Sequence, residues 1–305
     1  MRASHLTNLL LLSAIWGSSY VLIKVVVAGV NPLTLVAGRL ALGAAFLVIA
    51  ARLSGLRLQR RPAELGHLVV MAVTGNILPF VLIAWAEERV TSSLAAVLNA
   101  TTPFFTLLLA TLAFRTERIT AAKLVGIVVG FTGVALLTGI DPATLGTASG
   151  QGVLALLASS LCYGVAFAYA RRYVRGAPIA IAATQLTIAA VLLAPIALLF
   201  GDVGATDLTL TRAVSWLALG LLPTGAAYIL YYRLIAEVGA TRASYTTYII
   251  PVVGVAWGWL LLDETLGWQG WLGVAVIFLG LAIASSRPRT APRPATTPRP
   301  TETGE

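Results

Sequence analysis

Long apolar runs constrain this chain before anything else does. Ten of them, at 7–28, 33–53, 64–86, 92–113, 121–140, 150–170, 179–200, 212–232, 242–262 and 268–286, come near the ~20 residues that a helix needs to cross a hydrocarbon layer ~30 Å thick. Within lipid every backbone N–H and C=O must be satisfied inside its own segment, so such runs fold as helices. Only 11% of the residues are charged, against about 25% in a soluble domain, too few to cover a surface facing water. The expected fold is an all-α polytopic membrane protein with ten transmembrane helices.

The connections between the runs alternate in charge. Arg2, Arg52, Arg57, Arg60, Arg61, Arg115, Arg118, Lys123, Arg171, Arg172, Arg175, Arg233 and Arg242 fall on one side, together with Arg287, Arg289, Arg293 and Arg299 of the tail, which makes 17 of the 21 basic residues. The other side holds Arg89 and Arg212 beside Glu87, Glu88, Asp141, Asp202, Asp207, Asp263 and Glu264. By the positive-inside rule both termini and the basic loops are expected in the cytoplasm, with the chain in the cell inner (plasma) membrane. The net charge of +9 is then a topology signal, in contact with the lipid bilayer, and no nucleic acid is expected as a partner. The first run has one basic residue ahead of it and no small-residue cleavage site, so it reads as a retained helix and not a signal peptide.

Several chemistries find no residues to carry them. The lone Cys162 sits in an apolar run and reads as a small core residue. His5 and His67 do not make a metal cluster of ordinary spacing, and no GxxxxGK[ST] loop is present for nucleotide phosphates. Neither a cofactor nor a metal is expected, and the chain does not read as an enzyme.

The runs are written twice. Asn76 to Pro103 reads NILPFVLIAWAEERVTSSLAAVLNATTP, and Thr224 to Pro251 reads TGAAYILYYRLIAEVGATRASYTTYIIP. At a shift of 148, Asn76 falls on Thr224, Phe80 on Tyr228, Ala84 on Tyr232, Ala100 on Tyr248 and Pro103 on Pro251. Pro32 and Arg39 match Pro178 and Gln185, while Glu117, Gly126 and Gly133 match Glu264, Gly273 and Gly280. Each half therefore holds five runs. An odd number makes the two copies cross the membrane in opposite senses, an inverted repeat of the kind that recurs in transporters. The expected domains are 1–140, 141–286 as the inverted second repeat, and 287–305. The last, RPRTAPRPATTPRPTETGE, is too rich in proline and too poor in large apolar residues to pack, and is expected as a disordered cytoplasmic tail.

The segment Trp16–Lys24 (WGSSYVLIK), then NPLTLVAGRL with Pro32 and Arg39, then the Pro103 segment followed by Glu117, resembles the drug/metabolite transporter superfamily. Within it the chain is similar to the ten-span EamA-type exporters, which include aromatic amino-acid exporters, over about residues 10 to 286. The resemblance implies two inverted five-helix repeats around a central cavity lined by spans 1, 3, 4, 6, 8 and 9, with spans 5 and 10 peripheral. It also implies a small-molecule substrate, such as an amino acid or similar metabolite.

Helical spacing nominates lining residues. They are Trp16 and Ser19 in the first span, Asn76 and Phe80 in the third, Asn99 and Thr102 in the fourth, Tyr163 and Phe167 in the sixth, Tyr228 in the eighth and Tyr248 in the ninth. Aromatic walls with a few amides and hydroxyls suit a ligand pocket, although the same residues also serve as bonds between neighbouring helices. Pro103 and Pro251 each remove an amide donor and free the carbonyl four residues earlier, which makes either a gating bend or a simple curve. Lys24 and Arg39 are the basic residues well inside the spans. They either attract a substrate carboxylate or act as scaffold, by snorkelling or capping a broken helix. The Gly126–Gly130 and Gly254–Gly258 pairs permit close helix contact, within one subunit or, for the first, across a dimer face; monomer and weak homodimer are both compatible.

No Asp or Glu falls in the middle of a run, which points to facilitated, downhill movement by alternating access, with proton antiport through an end-lying acid as the other route. The expected function is export of small metabolites, amino acids above all and aromatic ones preferred. The alternatives are a proton-coupled exporter of drugs or other metabolites and, from a different class, a non-transporting receptor or scaffold.

Overall fold

A computed structural model describes residues 3–59, 61–115, 120–139, 146–239, 243 and 245–285. Expectations for Arg2, Arg60, Glu117, Arg118, Asp141, Arg242 and the tail 287–305 lie outside the described residues, as does the boundary at 140 and 141 between the halves.

Each apolar run is a helix. In chain order they are α1 (Ala3–Val27), α2 (Pro32–Leu53), α3 (Pro62–Glu87), α4 (Ser92–Leu112), α5 (Ala121–Thr138), α6 (Ala148–Tyr173), α7 (Pro178–Phe200), α8 (Leu210–Val238), α9 (Thr246–Leu262) and α10 (Trp268–Ser285). Among the described residues, nine are long and apolar enough to cross a membrane and α9, at 17 residues, is shorter. The protein is a multi-span membrane protein with its helices in two inverted sets of five. Both α1 and α10 have their outer termini at one end of the bundle, called here the terminal end. The α1–α2, α3–α4 and α9–α10 turns stand at the opposite, far end.

Local chemistry sets the helix starts. Asn31 caps α2 by accepting the Leu33 amide at 2.9 Å, with Pro32 in the first turn, and Thr91, Thr120, Thr147 and Thr209 cap α4, α5, α6 and α8 in the same way. A side-chain oxygen there satisfies one of the amides that a first turn leaves without an intrahelical partner, and proline fits because its missing N–H is one of them. At the other end of α5, Gly139 takes a left-handed conformation at φ 57°, the usual glycine stop. Two helices outrun their apolar stretches: α6 continues through Arg171 and Arg172, and α8 through Arg233 and Glu237. These long charged residues favour helix and reach past the hydrocarbon.

Three helices are broken, and each break lies beside proline. In α3 a π-helical turn occupies Val73–Ile77 just before Pro79, and in α8 another occupies Leu222–Ala226 around Pro223. A proline strips the carbonyl four residues earlier of its donor. In α8 that carbonyl belongs to Leu219, and the Thr224 hydroxyl donates to it instead, at 2.9 Å. The sequence repeat therefore extends to a repeated backbone irregularity, with Asn76 in one π turn and Thr224 in the other. The third break interrupts α4 at Ala100 and Thr101, directly ahead of Pro103. Pro251, its counterpart, lies inside the regular helix α9.

The glycines Gly126 and Gly133 of α5 meet Gly273 and Gly280 of α10, so the repeat-related positions of the two halves touch one another. A methyl group on Gly126 would stand 2.5 Å from the Ala284 amide nitrogen, so the backbones are in contact. Gly130, with Phe104 across from it, is likewise used inside the subunit. Gly254 and Gly258 give α9 the same close approach, to Ala96 and to Ser93.

Candidate functional site

At mid-bundle the two π turns are each tied to the second helix of the opposite half. Gln185 of α7 donates from Nε2 to Asn76 Oδ1 at 2.6 Å. Arg39 of α2 donates from Nε to Thr224 Oγ1 at 2.7 Å. These are one contact written twice, since Arg39 matches Gln185 and Asn76 matches Thr224. The chemistry differs: one copy is amide to amide, the other sets a guanidinium against a hydroxyl.

Arg39 is buried. Its guanidinium carbon lies 3.8 Å above the centre of the Phe80 ring, and the hydroxyls of Tyr163, Tyr228 and Tyr20 and the carboxyl of Glu87 are within electrostatic reach. Phe80 in turn packs edge-on to Tyr163, ring centres 6.5 Å apart. Among the described residues no carboxylate pairs with Arg39. A cation held by one hydrogen bond and one aromatic face keeps donors to spare, because guanidinium carries five N–H groups.

A second group surrounds Asn99. Its Nδ2 donates to the Tyr20 hydroxyl at 2.7 Å, and its Oδ1 accepts from Thr102 at 3.2 Å and from Ser160 at 3.3 Å. Thr102 also donates to the Asn99 carbonyl at 2.8 Å, the carbonyl that Pro103 frees. Asn99 therefore bonds α4 to α1 and α6, with both ends of the amide engaged, and Thr102 holds it from within α4. Through Tyr20 this group joins the one around Arg39. Asn76 is different, because its Nδ2 makes no hydrogen bond of good geometry, with the Tyr228 hydroxyl beside it.

The remaining candidates lie apart from this centre. Trp16 donates to the Pro223 carbonyl at 3.1 Å and packs on Tyr231, so it braces the second π turn. Ser19 is buried. Phe167 stacks on Tyr163 and is 55% exposed on the surface of α6. Tyr248 bonds to Ser285 at the terminal end of α10. Cys162 is a free thiol, half-buried in α6, and His67 bonds to the Tyr169 hydroxyl at 2.7 Å near the terminal end.

Lys24 acts as a cap. Its ammonium donates to the carbonyls of Glu87 and, at 2.8 Å, of Val90, which are the loose carbonyls where α3 stops. Beside it, Glu264 of the α9–α10 turn accepts four hydrogen bonds, from the amides and hydroxyls of Ser92 and Ser93. Burial works to raise the Glu264 carboxyl, but these four donors outweigh it and hold the group below its ordinary value. This clamp joins the second half to the start of α4 in the first. Glu87 stands at the end of a span, as the sequence places it, yet it is completely buried. The expectation of downhill movement rested on the lack of an acid in the middle of a span, with antiport through an end-lying acid as the other route, and Glu87 is an end-lying acid that is buried.

Three residues of this centre were not nominated from the sequence. Tyr20 had a signal, since it lies one turn beyond Trp16 on the same helical face. Gln185 had a signal, its match to Arg39. Ser160 had none beyond its place in an apolar run.

The sequence profile of the EamA-like transporter family matches residues 5–139 and 150–286. The uncharacterized inner membrane transporter YedA of Escherichia coli (strain K12) is 31% identical over 296 residues, covering 91% of this chain and 92% of its own. The uncharacterized transporter YoaV of Bacillus subtilis (strain 168) is 25% identical over 268 residues, 88% of this chain and 91% of its own. A probable terminal-alkyne amino-acid exporter of Streptantibioticus cattleyicolor is 27% identical over 274 residues, 89% of this chain and 90% of its own. A solved crystal structure at 21% identity aligns with a TM-score of 0.66 over 93% of this chain and 99% of that one, a likeness of fold. The profile thus matches once in each half, on the two sets of five helices that the repeat defines, and the chain belongs to the EamA-like transporter family.

Proposed function

We propose that the protein exports amino acids, aromatic ones preferred, across the cell inner membrane by alternating access, with the substrate carboxylate received at Arg39. The observation that carries this reading is the buried guanidinium of Arg39, laid on Phe80 and left without a carboxylate partner among the described residues. A buried charge with no carboxylate in direct contact is costly, the Glu87 carboxyl acting on Arg39 only from a distance, and a bound carboxylate offsets that cost. Phe80, Tyr163 and Tyr228 give an aromatic side chain flat partners. The exporter from Streptantibioticus cattleyicolor supports the substrate class. A cationic drug is disfavoured at the same place by the charge of Arg39.

In this reading Asn76, Asn99, Thr102 and Ser19 line or brace the path, and Trp16, Phe167 and Tyr248 stand at its margins. The break ahead of Pro103 serves as a hinge, with Pro251 as its counterpart. Both termini face the cytoplasm in this reading, which the excess of basic residues in those loops supports, so the far end with its Glu264 clamp is the outer face. Each half, 1–140 and 141–286, moves as one unit, and a monomer suffices. Liposomes containing only this protein should equilibrate labelled phenylalanine, and unlabelled phenylalanine should compete. No phenylalanine flux, with a cationic drug carried instead, would reject the proposal.

A further inference from the structure

The turn between α3 and α4 holds a carboxylate that substrate binding at Arg39 does not use. Glu87 is 0% exposed, and neither carboxyl oxygen has a hydrogen-bond partner. The ammonium of Lys24 is spent on the backbone carbonyls of Glu87 and Val90 and makes no ion pair with the carboxyl. The other titratable or charged groups facing Glu87 are Tyr20 on α1, Arg39 on α2 and Glu264 in the α9–α10 turn. On the α6 side, Gly152 packs against Ala86, Arg89 and Val90 of this turn and brings no charge. On the same turn Glu88 pairs with Arg89, both outside this enclosure.

We propose that Glu87 is a proton-binding site linked to closure of the far face: its carboxyl takes up a proton from water before the Glu264 clamp engages and gives it back when the clamp opens. This inference rests on alternating access but not on the choice of substrate. Its ground is the pairing of two acids with opposite surroundings. Glu264 is given four donors and is stable as an anion. Glu87 is given none, and closing the clamp brings the Glu264 charge towards it while shutting out water. A buried carboxylate with no hydrogen-bond donor is costly to keep ionised even with the Lys24 and Arg39 charges nearby, and a proton removes the charge and that cost. Water has a route to this turn, because a cavity of about 670 Å3 opens at the far end, lined by Lys24, Glu88, Arg89, Leu94 and Ser149 among others. The step forms one O–H bond, with the proton supplied by and returned to water on the far side. Acid on that side then favours return of the empty carrier.

The test is infrared spectroscopy of the full chain in lipid bilayers without substrate, comparing the wild type with Glu87→Gln and Glu264→Gln. The expected result at neutral pH is a protonated-carboxyl C=O band, of the frequency of an acid without hydrogen bonds, in the wild type. It should vanish in Glu87→Gln and weaken in Glu264→Gln, in which the clamp is loosened. Identical spectra for wild type and Glu87→Gln would overturn the proposal, since Glu87 would then be ionised in the closed form. A band that survives Glu264→Gln unchanged would overturn the link to closure. Should Glu87→Gln not fold, Glu87→Asp carries the same decision: the band should shift in frequency, and a band identical to the wild type would overturn the proposal. Because no substrate is present, failure of phenylalanine transport leaves this result standing on its own.

Discussion

The pairs Asn76–Gln185 and Arg39–Thr224 are the same joint in two halves of one molecule. Each ties a π turn to the second helix of the other half, at 2.6 and 2.7 Å. That both copies keep a hydrogen bond shows what the joint requires as structure, which is a donor on one helix and an acceptor on the other. Only one copy carries a charge. The Gln185 joint shows that a neutral amide is enough to hold the helices, so the guanidinium of Arg39 is surplus to the joint. Its surplus is laid against Phe80, between aromatic rings, where a ligand of opposite charge has reason to bind.

Making the two joints alike gives the largest expected effect. Arg39→Gln copies the Gln185 joint, so the bundle should keep its thermal stability while the KM for phenylalanine rises roughly a hundredfold. That corresponds to the ~3 kcal/mol of a buried, hydrogen-bonded charge pair. Removing the ring beneath the cation comes next. Phe80→Leu forfeits a desolvated cation–π contact of about 2 kcal/mol and should raise KM more than tenfold, measured in the same exchange assay. On the neutral side, Asn76→Ala deletes a bond between helices, which is worth about 0.6 kcal/mol on average in membrane bundles. It should lower stability slightly, read by thermal unfolding in lipid, with substrate preference unchanged.

The smallest effect is at the far-end clamp, where the stabilisation is fully present at neutral pH and is lost in acid. Glu264 is depressed below its ordinary value of 4.5, so it binds a proton more readily unfolded than folded. Its contribution to stability is then complete above that value and fades as pH falls through the lower folded value. Wild-type stability should fall in that acid range, and Glu264→Gln should flatten that part of the profile.

Much of this fold can be read from the chain. The runs near 20 residues long locate all ten helices because in lipid a helix is the one solution for such a segment. The 148-residue shift identifies Arg39, Gln185, Asn76 and Thr224 as related before any contact is known. The breaks are less legible. Pro79 and Pro223 are visible, but whether a proline yields a curve or a π turn depends on what takes the freed carbonyl, as Thr224 does for Leu219. Burial at span ends is not legible at all. Glu87 and Glu88 are adjacent acids at the same end, and one is sealed while the other meets Arg89 at 2.6 Å at the surface. That difference follows from how α1, α2 and the α9–α10 turn close over the site, which no local pattern encodes. The depth of Tyr248 is not legible for a similar reason, since its match to Ala100 does not reveal that its hydroxyl meets Ser285 near the end of α10.

The most direct test of the charged joint is competition against labelled phenylalanine exchange in liposomes, by phenylpropionate, which lacks the amine, and by phenylethylamine, which lacks the carboxylate. If Arg39 reads the carboxylate, phenylpropionate should inhibit the wild type and phenylethylamine should not, and Arg39→Gln should erase that preference. Equal inhibition by both compounds in the wild type, or an unchanged preference in Arg39→Gln, would contradict the account and return Arg39 to a purely structural role.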